Sequence, residues 1–113
     1  MVTLQEEITN TNSELEKLLP IAKIIRKQYF KTLLFLFGSR ARGDFHSDSD
    51  YDLLVIHSYR QDAPEKIQEI IWEYGFENDL FITPIILSTK ELNFQKYKTT
   101  PIYKNVMREG IKF

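Results

Sequence analysis

Two aspartates one residue apart, Asp50 and Asp52, follow a Gly-Ser pair at Gly38 and Ser39, with ten residues between the two pairs. On a β-strand, residues two apart point to the same face, with Cα atoms about 7 Å apart. Both carboxylates can therefore point to one place, where each raises the pKa of the other unless a cation neutralises them. Mg²⁺ fits such a pair, because it is usually held by one or two carboxylates together with substrate phosphates. The aspartates therefore predict a metal platform for nucleotide chemistry.

The Gly-Ser pair supplies groups that suit those phosphates. Gly38 lets the backbone approach a triphosphate closely, and Ser39 offers both a hydroxyl and an N–H. Arg40 and Arg42 add guanidinium groups whose geometry matches phosphate oxygens. We therefore predict that Gly38, Ser39, Arg40 and Arg42 bind the phosphates of a nucleotide.

Two other motifs fail on the same stretch. A Walker loop needs Lys and then Ser or Thr where this chain has Asp44 and Phe45. A calcium loop that began at Asp48 would have Leu53 at its sixth position instead of Gly, and Tyr59 at its twelfth instead of Glu. The dinucleotide-binding pattern GxGxxG is absent from the chain.

The elements around the motif predict its position between two strands. Apolar runs at 33–37 and 53–56 are short enough for buried strands, and a third run at 80–87 contains Pro84, which favours an edge position. Helical spacing of apolar residues predicts three helices, at about 3–30, 62–75 and 102–109. Pro20 is expected to kink or divide the first of them. The same spacing assigns Trp72 to the core. The predicted fold class is α+β (mixed α/β), a small mixed sheet flanked by helices.

Composition predicts one ordinary domain. The chain has 113 residues, of which 42% are hydrophobic and 27% charged, enough for one core. We expect a single domain over 1–113, with an N-terminal helical region at about 3–30, a catalytic core at about 33–87 and a C-terminal tail and helix at 88–113. Cysteine is absent, which excludes disulfides and zinc–thiolate sites. The sequence shows no signal peptide and no long apolar segment, so we expect a cytoplasmic protein without membrane contact.

The stretch GSRARGDFHSDSDYDLLVI, residues 38–56, resembles the active-site segment of the DNA polymerase β-like nucleotidyltransferase superfamily, and specifically that of the minimal nucleotidyltransferases. The resemblance is specific over about 20 residues, and the order of elements is similar across most of the chain. It implies the polymerase β-like fold, two Mg²⁺ ions as cofactors and a nucleoside triphosphate, by likeness ATP, as substrate. The implied reaction transfers a nucleoside monophosphate to an acceptor and releases pyrophosphate.

The same resemblance implies a third acidic residue from a later strand. Asp79, which precedes the third apolar run, is the predicted residue, and Glu77 is the alternative. By the resemblance, Asp50, Asp52 and Asp79 form the catalytic and metal-binding set, and Asp79 helps to deprotonate the attacking hydroxyl.

We expect no second domain that could bind an acceptor, because about 110 residues leave no room for one. The resemblance implies a small helical HEPN partner in a toxin–antitoxin module, to one of whose tyrosines AMP is transferred. The leading hypothesis is therefore an antitoxin that acts as a protein adenylyltransferase. Two alternatives stay open: a binding module that masks its partner without catalysis, and a catalytic subunit whose nucleic-acid acceptor is supplied by a partner. The oligomeric state, homo- or hetero-oligomer, also stays open.

Overall fold

A computed structural model describes residues 4–58, 60–92 and 95–113 of the chain. The order of elements alternates helices with strands through the first three strands and ends on a cluster of helices and a short strand. The elements are α1 (Leu4–Gln28), β1 (Leu33–Phe37), α2 (Ser39–Arg42), β2 (Tyr51–His57), α3 (Ala63–Glu77), β3 (Ile82–Ser88), α4 (Thr89–Leu92), α5 (Gln95–Lys98), α6 (Pro101–Glu109) and β4 (Ile111–Lys112).

The four strands form one mixed sheet in the order β3-β2-β1-β4. Strand β1 is antiparallel to β2 and to β4, whereas β2 and β3 are parallel and are joined by α3. Strand β3 is an edge strand, as the position of Pro84 predicts, because proline cannot donate to a ladder. The mixed α/β fold class predicted from the sequence is confirmed, and this sheet carries the predicted site between β1 and β2.

Each face of the sheet packs against helices through apolar side chains. One face meets α1 and α3 in a core of fully buried residues, with Leu36 and Leu53 from the sheet, Ile21 from α1 and Ile71 from α3 among them. The opposite face carries a smaller cluster in which Leu54, Ile56 and Val106 of α6 are buried. Asp50 and Asp52 share the parity of Leu54 and Ile56, so the predicted site lies on the α6 side.

Two helix predictions need correction. Pro20 does not divide the N-terminal region, because α1 continues through it to Gln28; proline costs that helix one backbone hydrogen bond and leaves it intact. The predicted start at residue 3 lies outside the described residues. Helix α3 does not end at Gly75 but continues to Glu77, and Gly75 is buried where a Cβ would lie 2.7 Å from the carbonyl oxygen of Leu80.

The C-terminal segment departs from the prediction in its last residues. Helix α6 agrees with the predicted helix to within one residue, but strand β4 follows it and pairs Ile111 with Leu36. A strand of two residues has too little periodicity to be recognised in a sequence. In the part of the chain that the structure describes, no helix has the length and apolar character needed to cross a membrane.

The loop between α2 and β2 is anchored by Arg40. The Arg40 side chain is only 6% exposed and forms an ion pair of 3.1 Å with Glu14 of α1, which is 5% exposed. Its guanidinium also donates to the carbonyl oxygens of Ser47 and Ser49 and lies over the rings of two aromatic residues, Phe45 at 4.3 Å and Tyr51 at 4.4 Å. This single cation therefore joins α1, the loop and the start of β2.

Arg40→Ala should lower the free energy of unfolding by about 3 kcal/mol, because it removes the guanidinium partner of the buried Glu14 carboxylate. Urea denaturation of the variant measures this change. Arg60→Ala is the matched control, since the paired side chains of Arg60 and Asp62 are 58% and 53% exposed and exposed pairs contribute less than about 1 kcal/mol. Equal losses for the two variants would contradict the anchoring role of Arg40.

Candidate functional site

Asp50 and Asp52 lie together at the start of β2, on the sheet face that α6 covers. Asp52 is the second residue of β2 and pairs with Phe37 of β1 and Thr83 of β3. Asp50 immediately precedes the strand and accepts a hydrogen bond of 3.2 Å from the hydroxyl of Thr83. The structure thus brings the two carboxylates to one place, as their spacing predicts.

The ionisation of Asp52 reflects this crowding. Partial burial of the carboxyl raises the pKa of Asp52, the neighbouring charge of Asp50 raises it further, and Glu109 adds to the effect, while Arg42 opposes it. Protonation or a bound cation would relieve the repulsion. The negative charge around Asp52 is therefore only partly compensated by Arg42.

The glycine turn packs directly against Asp52. Gly38 has φ 75° and ψ −159°, a conformation that is essentially restricted to glycine. A Cβ at this position would overlap a carboxylate oxygen of Asp52. The close approach therefore holds the Gly38 turn and the carboxylate pair together in one site.

The turn already holds an anionic group. The backbone N–H of Gly38 donates to Oε1 of Glu109 at 3.2 Å, and the Arg42 guanidinium donates to the same oxygen at 3.0 Å. Arg42 also donates to Asp44 at 3.2 Å. Ser39 begins α2 beside them and is partly exposed. Two of the groups predicted to bind phosphate, the Gly38 N–H and the Arg42 guanidinium, thus meet at one carboxylate oxygen.

Arg40 does not agree with its predicted phosphate-binding role. Its guanidinium is buried and is directed to Glu14, loop carbonyls and Tyr51, whose side chain lies on the sheet face opposite to Asp52. The sequence could not reveal this, because the partner Glu14 is 26 residues upstream. Arg42 is therefore the cation at the turn, and Arg40 is part of the interior.

The third predicted acid lies away from the strands. Asp79 adopts a left-handed conformation, φ 54°, three residues before β3 begins, and it lines a cleft together with Lys17 and Tyr51. Glu77, the alternative, is the exposed last residue of α3. On β3, the residue opposite Asp52 is Thr83. The role predicted for Asp79 stays a prediction.

Glu109 is a site residue that the sequence reasoning missed. It ends α6, lies 71 residues from Gly38, and influences the pKa of Asp52 through its charge. Its position before Gly110 indicates only the end of a helix. Contacts over such a separation carry no local sequence signal, so only the fold reveals them.

A divalent cation fits the carboxylate pair when a nucleotide shares it. Among the residues that the structure describes, no group of three or more Asp, Glu, His or Cys side chains is arranged to hold a metal by itself. Mg²⁺ does not require one, because it is usually bound by one or two carboxylates with substrate phosphates. The repulsion that raises the pKa of Asp52 and the all-oxygen donor set are the observations that favour such a cation.

Asp52→Asn should raise the melting temperature in metal-free buffer at neutral pH. A carboxylate whose folded pKa is raised contributes stability that is present below the unfolded pKa and is lost as pH rises through the folded pKa. The gain should therefore be larger at pH 7.5 than at pH 3.8, the ordinary pKa of an aspartate, as differential scanning calorimetry can measure. A lower melting temperature at both pH values would mean that Asp52 is a structural carboxylate.

Gly38→Ala should lower the free energy of unfolding by about 1–3 kcal/mol through backbone strain, with a further loss from overlap with Asp52. Denaturation in urea gives the loss for each variant. Gly43→Ala serves as the control for strain alone, since Gly43 has φ 91° at the end of α2. Part of the loss should disappear when Gly38→Ala is combined with Asp52→Ala, and a loss unchanged in that background would contradict the close approach.

Comparison with known proteins places these features in a family. The model of the nucleotidyltransferase domain family matches residues 15–113. A relative from Methanocaldococcus jannaschii, "Putative protein adenylyltransferase MJ0141", is 40% identical over 55 residues, which is 47% of this chain and 56% of that protein. The match thus spans little more than half of the relative's length.

Solved structures share the fold. The crystal structure of a "putative nucleotidyltransferase" from Sulfolobus solfataricus has a TM-score of 0.58 at 19% identity and covers 95% of this chain and 85% of that one. A structure of the toxin–antitoxin MntA-HpeT has a TM-score of 0.58 at 21% identity, with coverage of 84% and 69%. These likenesses concern the fold alone. Together with the family match over most of the chain, they confirm the resemblance to nucleotidyltransferases seen in the sequence: the chain belongs to the nucleotidyltransferase domain family and shares the fold of these structures.

Proposed function

We propose that this protein is a Mg²⁺-dependent adenylyltransferase that moves AMP from ATP to a hydroxyl group of a partner protein. The proposed acceptor is a tyrosine of a HEPN-type toxin, so that the protein acts in the cytoplasm as an antitoxin. The observation that carries the proposal is the juxtaposition of three groups: the Asp50 and Asp52 carboxylates and the Gly38 turn packed against them.

The turn supports nucleotide binding through its preference for anionic oxygen. Gly38 and Arg42 together hold Oε1 of Glu109, and a terminal phosphate oxygen presents the same kind of acceptor to an N–H and a guanidinium. We infer that the triphosphate takes the place of this carboxylate on Gly38 and Arg42. Ser39, at the start of α2, then offers its hydroxyl to the distal phosphates.

The reaction is an in-line displacement at the α-phosphorus. The oxygen of the acceptor hydroxyl forms the new P–O bond, the bond to the β-phosphate oxygen breaks, and pyrophosphate leaves with the electron pair. Arg42 and the turn hold the leaving pyrophosphate, and Asp50 and Asp52 would hold the cations that balance the negative charge of the α-phosphate. The proton of the acceptor passes to a carboxylate, for which Asp79 is the predicted base.

Two Mg²⁺ ions would supply neutralisation of the negative charge that the phosphates carry in the transition state. Asp50 and Asp52 would hold them, with Asp79 as the predicted third ligand. The Thr83 hydroxyl fixes Asp50 by a hydrogen bond of 3.2 Å, and the Gly38 backbone limits the position of Asp52. The protein's part is therefore to keep two like charges close before the substrate arrives.

A protein acceptor is supported by two kinds of relative. The partial match to a relative named as a protein adenylyltransferase supports AMP as the group and protein as the acceptor. The structural neighbour described as a toxin–antitoxin pair supports a toxin as the partner.

The proposal predicts label transfer from [α-³²P]ATP with Mg²⁺ to the HEPN-type protein encoded beside this chain. Replacing either carboxylate, Asp50→Asn or Asp52→Asn, should reduce the rate by roughly two to three orders of magnitude, comparable to the loss of a major electrostatic contact in a transition state. Scintillation counting of the purified partner measures the transfer, and [γ-³²P]ATP provides the control against a kinase.

Other variants assign the remaining roles in the same assay. Asp79→Asn should slow the transfer of AMP if Asp79 is the base. A transfer rate equal to that of the wild-type protein would mean that Asp79 has no part in catalysis. Neutralisation of the toxin by the Asp50→Asn/Asp52→Asn double variant would instead establish the masking module. Absence of label on the partner with every nucleotide would contradict the adenylyltransferase.

A further inference from the structure

An aromatic groove lies between the C-terminal half of α3 and the segment that enters β3. Its volume is about 470 Å³, and its lining includes Trp72, Phe76, Asp79 and Phe81. The three aromatic side chains are 58%, 88% and 75% exposed, respectively. Helical spacing assigns Trp72 to the core, and the structure shows that this prediction is wrong.

These three aromatic side chains do not belong to the buried core of the protein. The core contact of α3 is made by Ile67 and Ile71, which are fully buried, and Tyr74 bonds to the carbonyl oxygen of Lys17 on α1. Trp72 and Phe76, four residues apart, form a separate stripe on α3. Exposed aromatic clusters of this kind are typical of surfaces that bind other proteins.

The groove is bordered by negative charge. Glu69 and Glu73 precede Trp72 and Phe76 by three residues each and lie beside them on the helix surface, where both are exposed. Asp79 lines the groove itself. An acidic border of this kind disfavours a nucleotide or a nucleic acid and favours a cationic segment of a protein.

The groove and the candidate site contact the same short segment of the chain, residues 81–83 at the start of β3. The carbonyl oxygen of Phe81 accepts a hydrogen bond of 2.8 Å from the N–H of Tyr51, the residue between Asp50 and Asp52. Two residues further along, the Thr83 hydroxyl donates to Asp50. The groove is thus connected to Asp50 through one short segment, although Ile82, which lines the groove, packs on the sheet face opposite to Asp52.

From these features we infer that the Trp72/Phe76/Phe81 groove is the docking surface for the acceptor protein, and that it binds a segment with apolar side chains flanked by Lys or Arg. The inference rests on the proposed function for the identity of the partner. The apolar side chains fill the groove, the basic residues pair with Glu69 and Glu73, and the partner is thereby held at the β3 edge of the sheet.

Binding without nucleotide is the direct test. Trp72 is the single tryptophan of the chain, so protein grown with 5-fluorotryptophan gives one ¹⁹F resonance. Addition of the purified HEPN-type protein, without ATP, should shift or broaden that resonance. Trp72→Ala and Phe76→Ala should each raise the Kd by at least about tenfold, as for aromatic residues at the centre of an interface.

Matched controls separate the groove from the rest of the surface. Phe30 is 80% exposed and lines a different cavity, with Gln28 and Lys31, so Phe30→Ala should leave the Kd unchanged. Glu73→Lys should weaken binding, and the weakening should shrink at high salt. Glu16→Lys, at an exposed position of α1, should not weaken binding of the partner. Circular dichroism of each variant verifies that the fold is retained.

Several results would overturn the inference. These are a wild-type Kd for the groove variants, no binding of the partner at all, a ¹⁹F shift caused by Mg²⁺ and ATP alone, and a ¹⁹F shift that follows self-association of this chain. The first would leave any transfer activity untouched. Conversely, normal docking without label transfer would sink the proposed reaction and leave the docking surface standing, so the two failures are distinguishable.

Discussion

A buried cation organises this small protein. Removing a guanidinium from water is costly unless its donors are satisfied, and Arg40 meets that condition with Glu14, two loop carbonyls and the faces of two aromatic rings. The loop from the glycine turn to β2 contains no regular structure of its own beyond α2. Because Arg40 holds both ends of that loop to α1, the chain enters β2 in one register and delivers Asp50 and Asp52 to the same face.

The site then gathers charges that the fold does not fully compensate. Asp52 keeps a raised pKa, since burial and the nearby negative charges of Asp50 and Glu109 outweigh the effect of Arg42. The close packing of the Gly38 backbone limits how far the Asp52 carboxylate can move away from Asp50. Such an arrangement costs stability in the free protein and is relieved by a cation and a phosphate, which is the usual compromise between stability and activity at a catalytic site. Membership of the nucleotidyltransferase domain family is consistent with such a site, because the reaction of that family takes place on a nucleotide.

The sequence predicted what depends on local spacing. The parity of Asp50 and Asp52, the strands on either side and the edge position of Pro84 all follow from residues within a few positions of each other. It did not predict the partners of Arg40 or the presence of Glu109, because those contacts join residues 26 to 71 positions apart. Trp72 was assigned to the core for a related reason: a helical period shows which residues share a stripe, but not which stripe the sheet covers.

The central claim is that Asp50, Asp52 and the Gly38 turn form one site for a metal and a nucleotide. The most direct measurement is the melting temperature with Mg²⁺ and α,β-methylene-ATP, which cannot be cleaved at the α-phosphate. Ligand that binds only the folded state raises the melting temperature. The account predicts a rise that requires both Mg²⁺ and the nucleotide and that is lost in the Asp50→Asn/Asp52→Asn double variant. An equal rise in that variant would contradict the account.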